Sequence, residues 1–474
     1  AAENALAILR DTEPELHLRS VTLTAKDKIC LCETRECTPE ACPYANGYYA
    51  RIKGALWDML DVPCLTAETL QEYAERHTVC PFELGLDSSL WSDVIIGDYN
   101  YLFDPVVHLV RFFESAGDYI FLVDEAHNLP GRAREMHSAA LTKTSFYEAK
   151  KLLGKGKSSL KNALTKVNDV FIEWRHRAEE ETAARDGRFG KTFFLKERSE
   201  EFDHLLNRLC EPLEAWLDDH REPDETHTAL LQLYFDVRAW LRVADTFDDH
   251  FVLQITASGS EVRAAQLCLD PSAFLADSFA LGRAAVLFSA TLAPASYYKD
   301  LCGVPEARAV ALRSPFPAGN QGLFCIGNVS TRYKDRDASL AIVVESLATM
   351  VRARCGNYLA FFPSYAYMEQ AYAQFKEHCP EINCIKQENA MDEQQKAAFL
   401  AQFVPGPSQS LLGFAVMGGV FGEGVDLTGD RLIGVGIVGP GLPQVGPRQE
   451  QLRDYFEQTR GSGFDYAYRY PGMN

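Results

Sequence analysis

Several features that would assign this chain to a particular class are missing from its sequence. No apolar run among the 474 residues is long enough to span a bilayer, and residues 1–15 lack the basic end and cleavage site of a signal peptide. Acidic residues outnumber basic ones, since the chain has 66 aspartates and glutamates but only 47 lysines and arginines, which gives a net charge of −19. We therefore expect a globular, cytoplasmic protein that does not use a membrane and is not a general binder of polyanions.

A disulfide framework is also absent. The thirteen cysteines are odd in number and mostly scattered. The exception is "CLCETRECTPEAC", and the candidate ligands Cys30, Cys37, Cys42 and Cys80 are separated by six, four and 37 residues. These gaps do not match the paired C-x₂-C of zinc ribbons, so the spacing favours an iron–sulfur cluster over zinc. Cys32 is a rival ligand, but its closeness to Cys30 would strain joint ligation.

The third absence is a glycine-rich phosphate loop, GxxxxGK[ST]. Two GK[ST] triplets occur, at 156–158 and 190–192, but the first glycine of the motif is missing from both. Both triplets lie in a helical region and not after a buried strand. Neither is expected to form the strand–loop–helix nest that binds phosphate.

Short apolar runs rich in β-branched and aromatic residues form two groups. The first group is "SDVIIGDY", "DYIFLVDEA" and "AAVLFSATL", and the second is "GNYLAFFPSY", "LLGFAVMGGVF" and "RLIGVGIVG". Such runs predict parallel strands buried on both faces, and two groups predict two α/β lobes. Residues 145–246 have helical spacing, interrupted only by the strand-like "KTFFL", which indicates a helical insertion in the first lobe. The turn-rich residues 314–322 are the expected hinge between the lobes.

The stretch "DYIFLVDEAHNLP" carries the strongest chemical signal. A buried strand that ends in two acids places carboxylates at the carboxyl edge of a parallel sheet, where α/β proteins bind ligands. Asp124 is expected to hold Mg²⁺, Glu125 to orient and deprotonate the attacking water, and His127 to link the nucleotide to the other lobe. The alternative, an acid pair that merely caps a helix, is less specific to this string.

Two further motifs follow strands. In "FSATLAP", the hydroxyls of Ser289 and Thr291 can relay a hydrogen bond between the acid site and a neighbouring domain. In "GGVFGEGVDLTGD", glycines such as Gly424 permit close backbone approach to a nucleotide. Glu423 and Asp426 could address a ribose, a cation or a basic residue there, although a plain tight turn would look the same.

Aromatic and basic residues supply candidate nucleic-acid contacts. Residues 141–167 hold seven lysines and one acid, a pattern that also fits a solvated helix face. Aromatics at strand ends can stack single-stranded bases, although core packing is the commoner fate of any one of them. The candidate DNA-binding residues are Tyr99, Asn100, Tyr101, Phe362, Ser364 and Tyr365.

The motifs occur along the chain in a fixed order: the cysteine cluster, "YNYLFDP", "VDEAHNL", the helical insertion, "FSATL", "FFPSY" and "GGVFGEGVDL". In this order they closely resemble the motifs of the XPD/DinG group of superfamily 2 helicases. The resemblance is narrower still to the bacterial DinG-like branch. It implies an α/β fold of two RecA-like motor lobes, with an iron–sulfur domain and a helical arch inserted in the first. It also implies ATP- and Mg²⁺-dependent 5′-to-3′ translocation on single-stranded or forked DNA by a monomer, in repair or replication.

Carried onto this chain, the resemblance assigns a four-iron, four-sulfur cluster to Cys30, Cys37, Cys42 and Cys80. It assigns the coupling motif to Ser289 and Thr291. The implied domains are motor lobe 1 in 1–29, 91–129 and 247–312, the iron–sulfur domain in 30–90, the arch in 130–246 and motor lobe 2 in 313–474.

Two family elements are not found in the sequence. The phosphate loop should precede the cysteines, and an arginine motif of the form Q-x-x-G-R-x-x-R should follow "YAYRYPGMN". We therefore expect a helicase chain truncated at both ends, with little ATPase activity alone. Two alternatives stay open: a non-catalytic single-strand-binding fragment or scaffold, and an RNA-directed DEAH-box ATPase with a zinc site.

Overall fold

The computed structural model describes residues 2–154, 158–184, 190–222, 224–422 and 424–473. It divides into two compact units. The first comprises the residues through Phe121, together with Gly131–His137 and Phe274–Ala285. The second comprises Leu122–Pro130, Ser138–Ala273 and the residues from Val286 onward. None of the helices in the described ranges has the length and apolar character needed to cross a membrane.

The strands are short. They are β1 (Ser20–Thr22), β2 (Cys64–Leu65), β3 (Val94–Ile96), β4 (Ile120–Val123), β5 (Ala139–Thr142), β6 (Lys191–Leu195), β7 (Phe251–Ser258), β8 (Glu261–Cys268), β9 (Ala284–Leu287), β10 (Asn357–Phe362), β11 (Asn383–Lys386), β12 (Leu411–Val416) and β13 (Gly434–Ile437).

The helices vary from one turn to seven. They are α1 (Ala2–Thr12), α2 (Lys26–Ile29), α3 (Tyr48–Asp58), α4 (Ala67–His77), α5 (Pro81–Ser88), α6 (Asn100–Phe103), α7 (Val110–Phe113), α8 (Leu129–Met136), α9 (Lys143–Leu152), α10 (Ser159–Ala184), α11 (Glu200–Asp219), α12 (Glu225–Thr246), α13 (Ser272–Ala280), α14 (Ala295–Leu301), α15 (Arg336–Ala353), α16 (Tyr365–His378), α17 (Glu393–Ala401) and α18 (Pro447–Arg460).

Two of the three sheets with more than two strands are parallel, as the apolar runs predict. One has the order β2-β1-β3 and the other the order β11-β12-β10-β13. All six residues of β12 and five of six in β10 are buried, which explains their continuous apolar sequences. The runs of the first predicted group form β3, β4 and β9, and β4 and β9 make a two-stranded sheet. Those of the second group form β10, β12 and β13.

The inserted segment contains a sheet as well as helices. β7 and β8 form a hairpin whose outer edges pair antiparallel with β6 and β5, in the order β5-β8-β7-β6. Residues 251–268, which the expected boundary at 246 gave to the first motor lobe, are therefore hydrogen-bonded to strands of the insertion. Their apolar runs resemble those of strands in a motor lobe. The strands with which they pair show that they belong to the insertion, and a single sequence does not reveal those partners. "KTFFL" is strand β6, so the GK[ST] triplet at 190–192 opens a strand and not a phosphate-binding helix.

The parallel sheet β11-β12-β10-β13 has a core on each face. On one face α15 and α16 pack around Phe362, Phe375 and Phe414, and on the other α17 packs around Phe399 and Phe403. α16 begins where the Ser364 hydroxyl accepts the Tyr367 N–H, and α17 begins with a complete capping box. These caps fix the helix starts at the edge of the sheet where the predicted motifs lie.

Candidate active site

Two acids follow strand β4 directly. Asp124 and Glu125 lie in an exposed loop immediately after Val123, the last residue of the strand. Glu125 has a φ of 45°, a left-handed conformation that is uncommon for a residue with a Cβ, and its N–H donates to Asp124 Oδ1 at 2.8 Å. The next N–H, that of Ala126, donates to the Phe288 carbonyl at 3.1 Å. The backbone therefore turns sharply and presents two adjacent carboxylates at the end of a strand.

Residues far apart in sequence meet at the second of these acids. The Ser289 hydroxyl donates to Glu125 Oε2 at 3.2 Å, and His127 Nδ1 lies 2.8 Å from Ser289 Oγ. His127 Nδ1 is also 3.3 Å from Glu125 Oε2, and its side chain is only 8% exposed. A buried imidazole and a serine hydroxyl thus hold one oxygen of an exposed carboxylate. This arrangement orients Glu125, and correct orientation is the first requirement of a general base.

Thr291 completes this network. Its N–H donates to Ser289 Oγ at 3.2 Å, and its own Oγ1 lies 3.5 Å from the same atom. Of the predicted catalytic residues, Glu125, His127, Ser289 and Thr291 therefore form one connected set, with Asp124 bound to the Glu125 backbone. α14 follows this segment and packs with β7, β8 and α18, which anchors the loop to a buried aromatic cluster.

The predicted glycine loop follows strand β12. Gly418 and Gly424 have φ values of 68° and 70°, which glycine adopts without the steric cost borne by other residues. Asp426 is exposed, and its carbonyl accepts from the Arg431 guanidinium at 3.5 Å. Glu423 lies outside the described residues. The loop leaves Asp426 accessible to a ligand.

Gln387 supports this loop and was not among the predicted site residues. It is 1% exposed, its Oε1 accepts the Val416 N–H at 3.0 Å, and its Nε2 donates to the Tyr365 hydroxyl at 2.7 Å. A Cβ on Gly419 would lie 3.0 Å from the same amide. One buried amide thus joins the start of the glycine loop to the first residue of α16. No short motif marks it, because a lone glutamine after a strand is unremarkable in sequence.

The candidate DNA-binding residues of the second lobe have different roles in the structure. Phe362 is fully buried and packs against Phe414 and Tyr367, so the prediction that it contacts DNA is wrong. Its side chain points into the helix-covered face of a sheet that is buried on both sides. Ser364 caps α16, and Tyr365 is partly exposed beside Gln387. Tyr365 is the aromatic of this group that remains available for a ligand.

The candidates of the first unit lie around α6. Asn100 begins the helix, and its N–H donates to Asp98 Oδ1 at 3.0 Å. Tyr101 packs closely on Gly97, where a Cβ would lie 2.8 Å from its ring. Burial, followed by the nearby Asp98 charge, raises the pKa of Tyr101. Tyr99 is half-buried and meets Phe103 edge to face. Tyr99 precedes α6, Asn100 and Tyr101 lie in it, and both tyrosines are partly accessible.

Three cysteines lie close together in the loop after α2. The Sγ atoms of Cys32 and Cys42 are 3.9 Å apart. Burial raises the pKa of the Cys32 thiol to about 11, and the thiols of Cys42 and Cys30 contribute to the rise. Cys37 is exposed in the same loop. The structure therefore brings Cys32, the rival candidate, next to two of the four predicted ligands.

Cys80 lies elsewhere in the same unit, at the start of α5. Burial raises the pKa of its thiol, against hydrogen bonds from the N–H groups of Glu83 and Phe82. Within the described ranges, no three His, Cys, Asp or Glu side chains are arranged to hold a metal ion. The donor chemistry, several thiols in one small region, fits an iron–sulfur cluster or zinc. The structure does not assemble the four predicted ligands around one point.

Two family models match the chain. DEAD_2 covers residues 14–146, which include the cysteine loop and the acid loop, and the helicase C-terminal domain covers residues 347–474. Together they account for more than half of the sequence. The parallel α/β parts that carry these matches are the two RecA-like lobes of the expected fold class.

Individual helicases are also similar to this chain. The ATP-dependent DNA helicase CHL1 of Coccidioides immitis is 22% identical over 429 residues, which cover 79% of this chain and 49% of that protein. The XPD helicase subunit of general transcription and DNA repair factor IIH from Schizosaccharomyces pombe is 23% identical over 383 residues, covering 66% and 49%. The chain spans about half the length of these curated relatives. A solved XPD helicase structure aligns with a TM-score of 0.57 at 17% identity, covering 98% of this chain and 80% of that one, and supports the fold.

Proposed function

The chain belongs to the XPD/Rad3/CHL1-type family of superfamily 2 helicases, and we propose that it forms part of an ATP-dependent DNA helicase. In this proposal the first lobe contributes the acid half of an ATP site. The second lobe contributes the glycine loop that faces the nucleotide and a surface for single-stranded DNA. The activity is inferred from the site and from the similarity to helicases of which this chain covers about half.

The observation that carries the proposal is the hydrogen-bonded set of Glu125, His127 and Ser289. Two segments 162 residues apart converge on one carboxylate. In the proposed reaction, Glu125 orients a water molecule and accepts its proton as the water oxygen attacks the γ-phosphorus of ATP. The bond from that phosphorus to the bridging oxygen breaks, which releases ADP and phosphate.

Asp124 is the residue proposed to hold Mg²⁺, which neutralises charge on the β- and γ-phosphate oxygens when bound. Its Oδ1 accepts the Glu125 N–H, so the positions of the two carboxylates depend on each other. Ser289 contacts both Glu125 and His127, and Thr291 holds Ser289. We propose that this chain of contacts reports the state of the γ-phosphate to the neighbouring segments.

The 474 residues contain no GxxxxGK[ST] loop after a buried strand. We therefore propose that this polypeptide by itself turns over ATP slowly, because the groups that hold the β- and γ-phosphates contribute several orders of magnitude to the rate. ATP hydrolysis is therefore measured with the protein translated from its complete reading frame. Tests of DNA binding can use the 474-residue chain.

An iron–sulfur cluster is part of the proposal. Cys30, Cys37, Cys42 and Cys80 would hold it, and Cys32 is the competing ligand because its sulfur lies beside that of Cys42. Such a cluster would tie the exposed loop carrying Cys37 to the start of α5. Movement in the 5′-to-3′ direction, action on forked DNA, a monomeric state and a role in repair or replication are further proposals, supported by the family resemblance alone.

The DNA part of the proposal is tested by fluorescence anisotropy of the 474-residue chain with a labelled single strand and with a blunt duplex of the same sequence. We expect tighter binding of the single strand, weakened by salt because phosphate contacts release counterions. Equal affinity for both forms, or no binding at low salt, would contradict a single-strand-translocating motor.

A further inference from the structure

The segment Ser330–Arg336, "STRYKDR", lies beside the motifs of the second lobe but takes no part in the proposed ATP site. It leads directly into α15, the helix that precedes strand β10. Thr331 sits against Gly439, just beyond β13, where a Cβ would be 2.6 Å from the threonine hydroxyl. The segment therefore shares the carboxyl edge of this sheet with Tyr365 and the glycine loop.

Internal contacts hold this segment in one conformation. The Arg336 guanidinium lies 4.9 Å from the ring centre of Tyr367 and 5.6 Å from that of Tyr333. Its Nε donates to the Thr331 carbonyl at 3.2 Å. Tyr367 is buried in the core, so the arginine connects Tyr333 to a rigid part of the lobe. Less ordering entropy is lost when a ligand meets a surface that is already formed.

The outer side of the segment is aromatic and basic. Tyr333 is 86% exposed, although it is fixed at one end by Arg336, and Arg332 and Lys334 are exposed on either side of it. The acid that follows in sequence, Asp335, accepts the Ser330 hydroxyl at 2.7 Å. An accessible ring between two cations suits single-stranded nucleic acid, whose bases stack on aromatic rings while its phosphates pair with cations.

We propose that Arg332, Tyr333 and Lys334 form a single-strand contact on the second lobe, with one base stacked on Tyr333 and adjacent phosphates bound by the two cations. This contact rests on the proposed function and extends it to a site that lies outside the acid loop, the glycine loop and the predicted aromatic contacts. It lies on the same sheet edge as Tyr365, so one strand can reach both.

The test is anisotropy of the 474-residue chain with a labelled oligothymidylate of about 16 nucleotides, titrated at several salt concentrations. Tyr333→Ala is expected to weaken binding roughly 5- to 150-fold, the range that corresponds to removal of one stacked base, and Tyr333→Trp to restore it. The double variant Arg332→Gln/Lys334→Gln is expected to lower the slope of log affinity against log salt by about 0.7 for each phosphate that the protein no longer neutralises.

Matched controls remove the same groups elsewhere. Phe235→Ala deletes an exposed ring from α12, and Arg221→Gln deletes an exposed cation, and both are expected to bind as the unaltered chain does. If the unaltered chain binds the single strand but Tyr333→Ala and the double variant keep its affinity and salt slope, this contact is wrong and the proposed function stands. If the unaltered chain does not bind single strands at all, the proposed function itself fails.

Discussion

The Nδ1 atom of His127 lies 2.8 Å from Oγ of Ser289, although the two residues are 162 positions apart in the chain. Ser289 also donates to Glu125, so the serine occupies the centre of the acid site. The loops after β4 and β9 therefore share one polar network. A change in either loop alters the orientation of the carboxylate proposed to activate water.

Removing the Ser289 hydroxyl is expected to slow ATP hydrolysis without unfolding the protein. Ser289→Ala deletes the donor to Glu125 Oε2 and a partner of His127, and we expect kcat to fall about 10- to 100-fold, equivalent to roughly 1.4–2.7 kcal/mol. The measurement is phosphate release with saturating single-stranded DNA, using the protein from the complete reading frame. Ser346→Ala, on the exposed side of α15, is the control. An unchanged kcat in Ser289→Ala would refute the role of the network.

Gln387 is expected to stabilise the second lobe. Gln387→Leu has similar volume but leaves the Val416 N–H and the Tyr365 hydroxyl without this partner. The removal of two hydrogen bonds at a buried position is expected to lower the free energy of unfolding by about 1–3 kcal/mol. Urea unfolding measures the change, with the exposed Gln370→Leu as control. Equal destabilisation in both variants would show that the amide is not a specific link.

Asp203 provides a prediction about pH and stability. Its Oδ1 accepts the indole N–H of the buried Trp240 at 2.8 Å, and burial raises the pKa of its carboxyl above the ordinary value of 3.8. The folded state thus binds this proton more tightly than the unfolded chain. The resulting stabilisation is full below pH 3.8 and is lost as pH rises through the folded pKa.

Two substitutions separate the roles of this carboxyl. Asp203→Asn keeps an acceptor for Trp240 and is expected to remove this pH-dependent loss. Asp203→Ala leaves the indole without its acceptor and is expected to cost about 1–3 kcal/mol at neutral pH. Denaturant unfolding across a pH series measures both. A stability profile for Asp203→Asn as steep as that of the unaltered protein would show that another group titrates.

The cysteine loop is expected to bind iron. Anaerobically purified protein should absorb near 400 nm, which zinc does not, and Cys42→Ser should abolish this band while the exposed Cys325→Ser retains it. Cys32→Ser distinguishes the rival ligand, and we expect the band to survive. Zinc in place of iron, or a band that persists in Cys42→Ser, would overturn the proposed ligand set.

Sequence reasoning succeeded where local pattern and structure agree. Strands β10 and β12 are buried on both faces and appear as continuous apolar runs, as predicted. The runs of the first group also form strands, but the prediction that β4 and β9 are buried on both faces is wrong, because β4 buries alternate residues only and β9 is mostly exposed. The acid pair after β4 was identified because its residue types and their place at a strand end are specific together. The contact between His127 and Ser289 was not predicted, since no local pattern links positions 162 residues apart.

The wrong predictions, and the features that were not predicted, also have physical reasons. Phe362 stands at the end of an apolar run, just before a turn, which suggests an accessible ring, but both faces of its sheet are covered. Gln387 acts through two hydrogen bonds whose partners, at Tyr365 and Val416, lie more than twenty residues away in either direction. The β7–β8 hairpin reads as ordinary strands, and only its pairing with β5 and β6 shows that it belongs to the insertion.

The proposed ATP site is tested most directly by ATP hydrolysis in the protein from the complete reading frame, with and without single-stranded DNA, in the unaltered form and in Glu125→Gln. We predict that single-stranded DNA stimulates the unaltered protein, and that Glu125→Gln loses at least about 100-fold of this activity while it still binds DNA. Glu135→Gln, an exposed acid on α8, is expected to keep full activity. Hydrolysis that is indifferent to DNA, or that survives in Glu125→Gln, would contradict the proposed site.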